Sequence, residues 1–287
     1  MPEGDTIRRS AVTLHAALAG HQVTGFRTVL AQLARVDDDT PLAGRTVEGV
    51  ASRGKHILMT FSGDLILRTH MRMHGSWHLY RPGERWRGPA RDMRIVVATA
   101  RFEAVAFRVP VAEFRTAAAL ARDEAIQSLG PDLLDPAMDV AEALRRLRAL
   151  GDTPLSEALL NQRALAGIGN VFKSEICFEA RLAPTTPVGA LDDPTLGRVV
   201  EIARRQLRAN APDPRAAALS AWRGGRRTTG RANPAEGLWV YGRAGAPCRR
   251  CATPIAVTPQ GADTRLTYYC PACQGPRPDP ADLAERP

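Results

Sequence analysis

The sequence predicts an α+β multidomain chain: an N-terminal antiparallel β-sandwich led by a helix, then a helical domain, then a C-terminal four-cysteine β-hairpin. Three observations predict it. Short β-branched and aromatic stretches bounded by turn residues fill residues 23–111, and helical periodicity takes over after a proline-rich stretch at 128–136. Two Cys-x-x-Cys pairs then stand near the C-terminus. At 287 residues the chain has room for more than one domain, at about 100–200 residues each.

Residues 5–19 are expected to be helical, because Ile7, Ala11, Leu14 and Leu18 share one face and Gly20 supplies the stop. Strands are expected at 56–61, 65–67, 95–99 and 102–109, with Ser62-Gly63-Asp64 as a hairpin turn. The domain boundaries follow: 1–125 for the sandwich, 126–136 as a linker, 137–222 for the helical domain, 223–275 for the cysteine module. A charged, proline-rich tail at 276–287 is expected to be disordered. Helices are expected at 140–150, 155–164, 170–180 and 195–209, with Thr153 as an N-cap and Pro154 as the first helical residue. Between two of them Ala166-Gly167-Ile168-Gly169 forces a tight reversal, which places Asn170 at an N-cap. Backbone N–H groups at such a helix start favour a phosphate. No strand precedes the Gly-x-Gly, so a dinucleotide loop is excluded.

The net charge of +9 points to a polyanionic partner. Residues 223–275 hold eight arginines against Glu236 and Asp263, a net +6 gathered beside four of the five cysteines. Lysine occurs only at Lys55 and Lys173, so a compact ammonium is singled out at Lys55. No apolar run reaches the length of a transmembrane helix, and Met-Pro-Glu-Gly-Asp lacks the apolar segment of a signal peptide. A cytoplasmic protein with no membrane partner is expected.

Cys248-x-x-Cys251 and Cys270-x-x-Cys273, 18 residues apart, can offer four thiolates to one tetrahedral zinc ion. A closed four-thiolate site leaves no open position, so the zinc is expected to be structural. A pair of disulfides is the alternative, which a cytosolic compartment disfavours. Cys177 lies in an apolar helical stretch and is expected to pack as a small hydrophobe. His70, His74 and His78 have a four-residue spacing, but Gly75 and the strand pattern argue against a metal-binding helix there.

In order along the chain stand Pro2-Glu3-Gly4, Ser52-Arg53-Gly54-Lys55, the Leu160–Arg163 and Ala166–Asn170 block, Leu238–Arg243 and the finger. This ordered set resembles the formamidopyrimidine-DNA glycosylase/endonuclease VIII (Fpg/Nei) family across essentially the whole chain. The resemblance implies a β-sandwich, a helix–two-turn–helix domain and a zinc finger. It also implies a bifunctional base-excision-repair DNA glycosylase and AP lyase, working as a monomer on damaged duplex DNA with a flipped nucleotide, in the cytoplasm at the nucleoid. The implied catalytic residues are Pro2, whose amine is exposed once Met1 is removed, Glu3 as proton shuttle, and Lys55 on a β-hairpin against phosphate. Asn170 and Arg265 are the implied phosphate contacts, and Arg72, Met73 and His74 fill the void left by the flipped base.

The opening Pro-Glu-Gly-Asp-Thr resembles the endonuclease VIII branch of actinobacterial type, which implies oxidised pyrimidines as substrates. It puts Asp5 where the formamidopyrimidine branch has another residue. That branch's Asp-x-Arg-x-Phe-Gly wedge is missing, with Asp92-Met93-Arg94 the nearest match. The alternatives are an 8-oxoguanine-type glycosylase and a non-catalytic zinc-ribbon nucleic-acid-binding protein.

Overall fold

A computed structural model describes residues 2–211 and 225–275. The expected disordered tail, 276–287, and the first residues of the Gly/Arg-rich stretch 223–231 lie outside the described residues. Two compact units divide the rest, one of residues 2–134 with 211 and one of 135–210 with 225–275. Among the described residues no helix is long and apolar enough to cross a membrane.

The first unit opens with helix α1 (Gly4–Leu18), followed by strand β1 (Val23–Thr28), helix α2 (Ala31–Asp39) and strands β2 (Val47–Arg53), β3 (His56–Phe61), β4 (Leu65–His70) and β5 (Ser76–Tyr80). Strands β6 (Met93–Thr99), β7 (Glu103–Phe107) and β8 (Val111–Arg115) complete it, with short helices α3 (Ala117–Leu120) and α4 (Glu124–Gln127). Two antiparallel four-stranded sheets result, in the orders β1-β6-β7-β5 and β2-β3-β4-β8. Ile7, Leu14 and Leu18 of α1 meet Ile57 and Met59 from one sheet and Ile95 from the other in one buried core. Each such side chain contributes about 1.5–3 kcal/mol by leaving water.

The hairpin at Ser62-Gly63-Asp64 forms as expected, with Phe61 opposite Leu65 and positive φ at Gly63 and Asp64. Strand β7 stops at Phe107, short of the predicted Val109. Arg108 turns into the left-handed region and donates its N–H to the Asp92 carbonyl.

In the second unit α5 (Val140–Arg148), α6 (Leu155–Leu160), α7 (Asn170–Ala180) and α8 (Asp193–Asn210) precede the hairpin β9 (Ala256–Gln260) and β10 (Arg265–Tyr269) and the short α9 (Pro271–Gln274). Two caps differ from expectation. Thr153 does not cap α6; Pro154 occupies the N-cap in an extended conformation. The reason is tertiary: the Thr153 carbonyl accepts from Val188 N–H, and Leu155 N–H donates to Thr186. At α7 the N-cap is Gly169, and Asn170 is the first helical residue. Helix α6 also ends at Leu160, earlier than predicted, because the Asn161 side chain accepts the Arg163 N–H in a turn.

Candidate functional site

Glu3 stands in extended conformation at the N-cap of α1, its carbonyl accepting from Ile7 N–H. Its side chain is 0% exposed, as is that of Asp5, while Pro2 is half-buried. A chain seldom withdraws two carboxylates from water without a use, because desolvating a charge is costly. The Thr6 hydroxyl donates to Asp5, and Arg9 lies 4.0 Å from the Asp5 carboxylate.

Helix α1 runs antiparallel to β2. Near the helix end Gly20 N–H donates to the Val47 carbonyl, and one turn earlier His15 Nδ1 accepts Val50 N–H. From His15 back to Glu3 the helix rises roughly 18 Å, which β2 covers in about five residues beyond Val50. The acidic start of α1 therefore lies level with the β2–β3 turn, where Lys55 is half-buried beside Gly54. Gly54 supplies the positive φ that this tight turn requires, and its N–H donates to Asp132 at 2.7 Å. Asp132, unrecognised from sequence, thus pins the tip that carries Lys55.

The next turn, β4 to β5, holds Arg72, Met73 and His74, all exposed, above a buried Met71. Arg72 has φ +51°, and its N–H donates to His70 Nδ1 at 3.1 Å. Gly75 donates to the Met71 carbonyl, and a Cβ on Gly75 would lie 2.5 Å from that oxygen, so the turn demands glycine. Across the ladder His56 sets its ring edge-on to His70, centroids 4.8 Å apart. Burial, with the cations Arg72 and Lys55 close by, pushes the His70 pKa down to about 4. Its imidazole is neutral near pH 7 and free to accept the Arg72 N–H. The same influence of Lys55 on His70 places the two turns on one rim.

A cavity of about 350 Å³ is lined by Met71 through His74 together with Arg108 and Pro110. In the sequence Asp92-Met93-Arg94 is the nearest match to the missing Asp-x-Arg-x-Phe-Gly wedge. Arg94 donates to the Arg91 and Met93 carbonyls, and Arg108 reaches the cavity, paired with Asp92 through Nε at 2.8 Å. His78 hydrogen-bonds Ser76, and among the described residues the three histidines form no metal-binding group.

In the second unit Gln162 staples the reversal before α7: its amide donates to the Leu160 and Ile168 carbonyls and accepts Gly167 N–H. Asn170, 9% exposed, donates through Nδ2 to the Leu266 carbonyl at 3.0 Å; its Oδ1 is buried without a partner among the described residues. Arg265, the neighbour of Leu266 on β10, stands half-exposed with Nε and Nη2 on Asp263. Asn170 and Arg265 are thus brought together by one strand.

The four thiols of Cys248, Cys251, Cys270 and Cys273 lie within 4.8 Å of one another. Tetrahedral zinc with bonds of about 2.3 Å requires sulfurs roughly 3.8 Å apart, and the pairs at 3.4 to 4.0 Å fit it. Arg250 N–H and Cys273 N–H point at thiols, as they do in a metal-binding knuckle. The module sits on α7 through a group that sequence reasoning missed, Glu175. This fully buried carboxylate accepts the N–H groups of Trp239, Val240 and Tyr241 and the Thr228 hydroxyl. Arg250 stacks over Phe178 and Trp239 on the same seat. Cys177 is buried, its thiol pushed up to about 12 by burial, which suits packing and not nucleophilic work.

Comparison with known proteins defines the class. The N-terminal domain model of formamidopyrimidine-DNA glycosylase matches residues 1–111, and the H2TH domain model of the same enzyme matches 129–211. The solved complex of the Lactococcus lactis Fpg with abasic-site DNA shares the fold, with a TM-score of 0.76 at 19% identity, covering 96% of this chain and 100% of that one. A probable endonuclease 8 2 of Streptomyces coelicolor is 45% identical over 98% of this chain and 96% of its own length. The DNA-(apurinic or apyrimidinic site) lyase Nei2 of Mycolicibacterium smegmatis is 41% identical over 96% and 99%. The chain belongs to the formamidopyrimidine-DNA glycosylase/endonuclease 8 family.

Proposed function

We propose that this protein is a base-excision-repair DNA glycosylase with AP-lyase activity, whose nucleophile is the Pro2 amine freed by removal of Met1. The observation that carries the reading is the buried Glu3 beside Pro2, level with the Lys55 turn. The names of its 41–45% identical relatives support the activity. Residues 1–125 supply the chemistry, 137–222 the helix–two-turn–helix DNA contact, and 223–275 the finger, joined through 126–136.

The amine lone pair of Pro2 attacks the deoxyribose C1′, the damaged base departs with the glycosidic electrons, and the proton released from the Pro2 nitrogen neutralises the base. Glu3 gives a proton to the ring oxygen, and the ring C–O bond breaks to leave an iminium between Pro2 and C1′. Because the nitrogen is secondary, this cation persists at every pH. It acidifies the C2′–H bond; the Glu3 carboxylate takes that proton and the bond's electrons expel the 3′ phosphate, after which a second elimination expels the 5′ phosphate. Lys55, Asn170 and Arg265 hold the phosphates, Arg265 through its fork. Arg72, Met73 and His74 fill the vacated stack. Zinc held by the four cysteines shapes the finger that carries Arg265. The protein works as a monomer in the cytoplasm, at the nucleoid.

The endonuclease 8 names of the relatives, together with the missing Asp-x-Arg-x-Phe-Gly stretch, favour oxidised pyrimidines. The experiment is borohydride trapping under single-turnover conditions, on duplexes carrying 5-hydroxycytosine, thymine glycol, or 8-oxoguanine opposite cytosine. Faster trapping on the two pyrimidine lesions is expected, with a large loss in Pro2→Gly. Full trapping by a chain whose N-terminus is chemically blocked would remove Pro2 from the mechanism. Faster work on 8-oxoguanine would move the substrate class.

A further inference from the structure

Between β5 and β6 the chain makes a loop, residues 81–92, that carries an unusual load of positive charge. Arg81, Arg85, Arg87 and Arg91 fall within its 12 residues, against two acids, Glu84 and Asp92. Both acids are already engaged: Glu84 accepts the Arg81 backbone N–H, and Asp92 holds Arg108. Arg81, Arg85, Arg87 and Arg91 are exposed, and none of their guanidinium groups has an ion-pair or hydrogen-bond partner among the described residues.

A solvated loop with this charge would repel itself into disorder, yet this one is fastened down. Trp86 inserts into a secondary core on the outer face of the β1-β6-β7-β5 sheet, edge-on to Phe107 at 5.9 Å. Its indole N–H donates to Glu103, and Arg87 N–H donates to the Tyr80 hydroxyl. Gly88 presses so closely on Phe107 that a Cβ there would approach to 2.8 Å. The loop ends at Asp92, whose partner Arg108 lines the same cavity as Met71 through His74. The Arg91–Asp92 end of the loop therefore lies beside the β4–β5 turn, and the loop runs from there across Phe107 to Tyr80 at the far end of β5.

We infer that the Trp86-anchored loop is a second binding surface for duplex DNA, gripping backbone phosphates beyond the turn at 71–75. Phosphates fit the feature because they are the one dense line of negative charge that a DNA-acting protein always meets, and guanidinium groups pair with them without regard to sequence. Prior ordering by Trp86 lowers the conformational cost of that grip. The inference rests on the DNA-directed function proposed above.

The test is the salt dependence of affinity for a duplex carrying a stable abasic-site analogue, read by fluorescence anisotropy. Each phosphate contact contributes a slope of about 0.9 in log affinity against log salt. The variant R85Q/R87Q/R91Q is expected to have a slope shallower by about 2 to 3 and to bind on the order of 100-fold more weakly at about 0.1 M salt. R85K/R87K/R91K, which keeps the charges, is expected to keep the wild-type slope. Equal slopes for the Gln variant and wild type would overturn the inference. So would an equal loss in the Lys variant, which would make the arginines structural. Failure of the wild-type protein to bind the duplex would instead remove the function proposed above.

Discussion

A Glu3→Gln variant is expected to fold normally and to lose base excision by about 10²- to 10⁴-fold, the range that a positioned general acid supplies. Glutamine has the same shape and keeps an acceptor oxygen, so the fully buried site at the start of α1 can hold it without a cavity. What it cannot do is donate a carboxyl proton to the sugar ring oxygen as the glycosidic bond breaks. Single-turnover excision of an oxidised pyrimidine measures the loss. Borohydride trapping on a preformed abasic site should fall much less, because the proposed nucleophile is the Pro2 amine and the base is already gone. Circular dichroism and the melting temperature should match wild type. Excision at the wild-type rate would show that another group carries the proton, with Asp5, equally buried two residues on, the next to replace.

The parts of this molecule that were legible in the sequence are those fixed by local pattern. Strand β3 begins and ends where periodicity and turn residues place it, and helix α7 covers the expected 170–180 with its cap one residue earlier, at Gly169. The four cysteines declare themselves by spacing and meet in space. What was not legible depends on partners far away along the chain. Arg108 reaches the cavity beside Arg72 because Asp92, 16 residues earlier, holds it; nothing near Arg108 announces that pairing. Asp132 pins Gly54 across 78 residues, and Glu175 captures Trp239, Val240 and Tyr241 across 64 to 66. A mid-helix acid in the apolar run Val-Phe-Lys-Ser-Glu-Ile-Cys-Phe was a signal for Glu175, since a charge in such a setting requires donors. The mistaken cap of α6 has the same origin. Thr153 and Pro154 carry the right local chemistry, but the backbone at 153–155 is taken by residues 186–188.

Metal removal is expected to have the second large effect, and to be confined to the finger. The hairpin β9–β10 has only two strands, which by themselves are marginal in water. The buried cluster beneath it consists of Phe178, Val240, Ile255, Cys248 and Cys270, so two of its five members are the thiols themselves. With zinc on the four cysteines, as proposed, most of the stability would come from the metal bonds, for which structural zinc supplies on the order of 10 kcal/mol. Chelation, or Cys248→Ser, should release amide protection across residues 245–275 in hydrogen exchange. Helices α5 to α8 should stay protected, since the carboxylate of Glu175 bonds backbone N–H groups and not thiols, and Phe178 is the α7 side chain that shares the cluster with Cys248 and Cys270. Incision should fall with the finger, because Arg265 and the Leu266 carbonyl that meets Asn170 both ride on β10. Arg265→Ala offers the contrast: incision weakened, one equivalent of zinc retained, and the same protection pattern as wild type. If chelated protein kept its finger amides protected, the stability of the module would have to come from its seat on α7. The cation stacking of Arg250 over Phe178 and Trp239 would then be the contact to break.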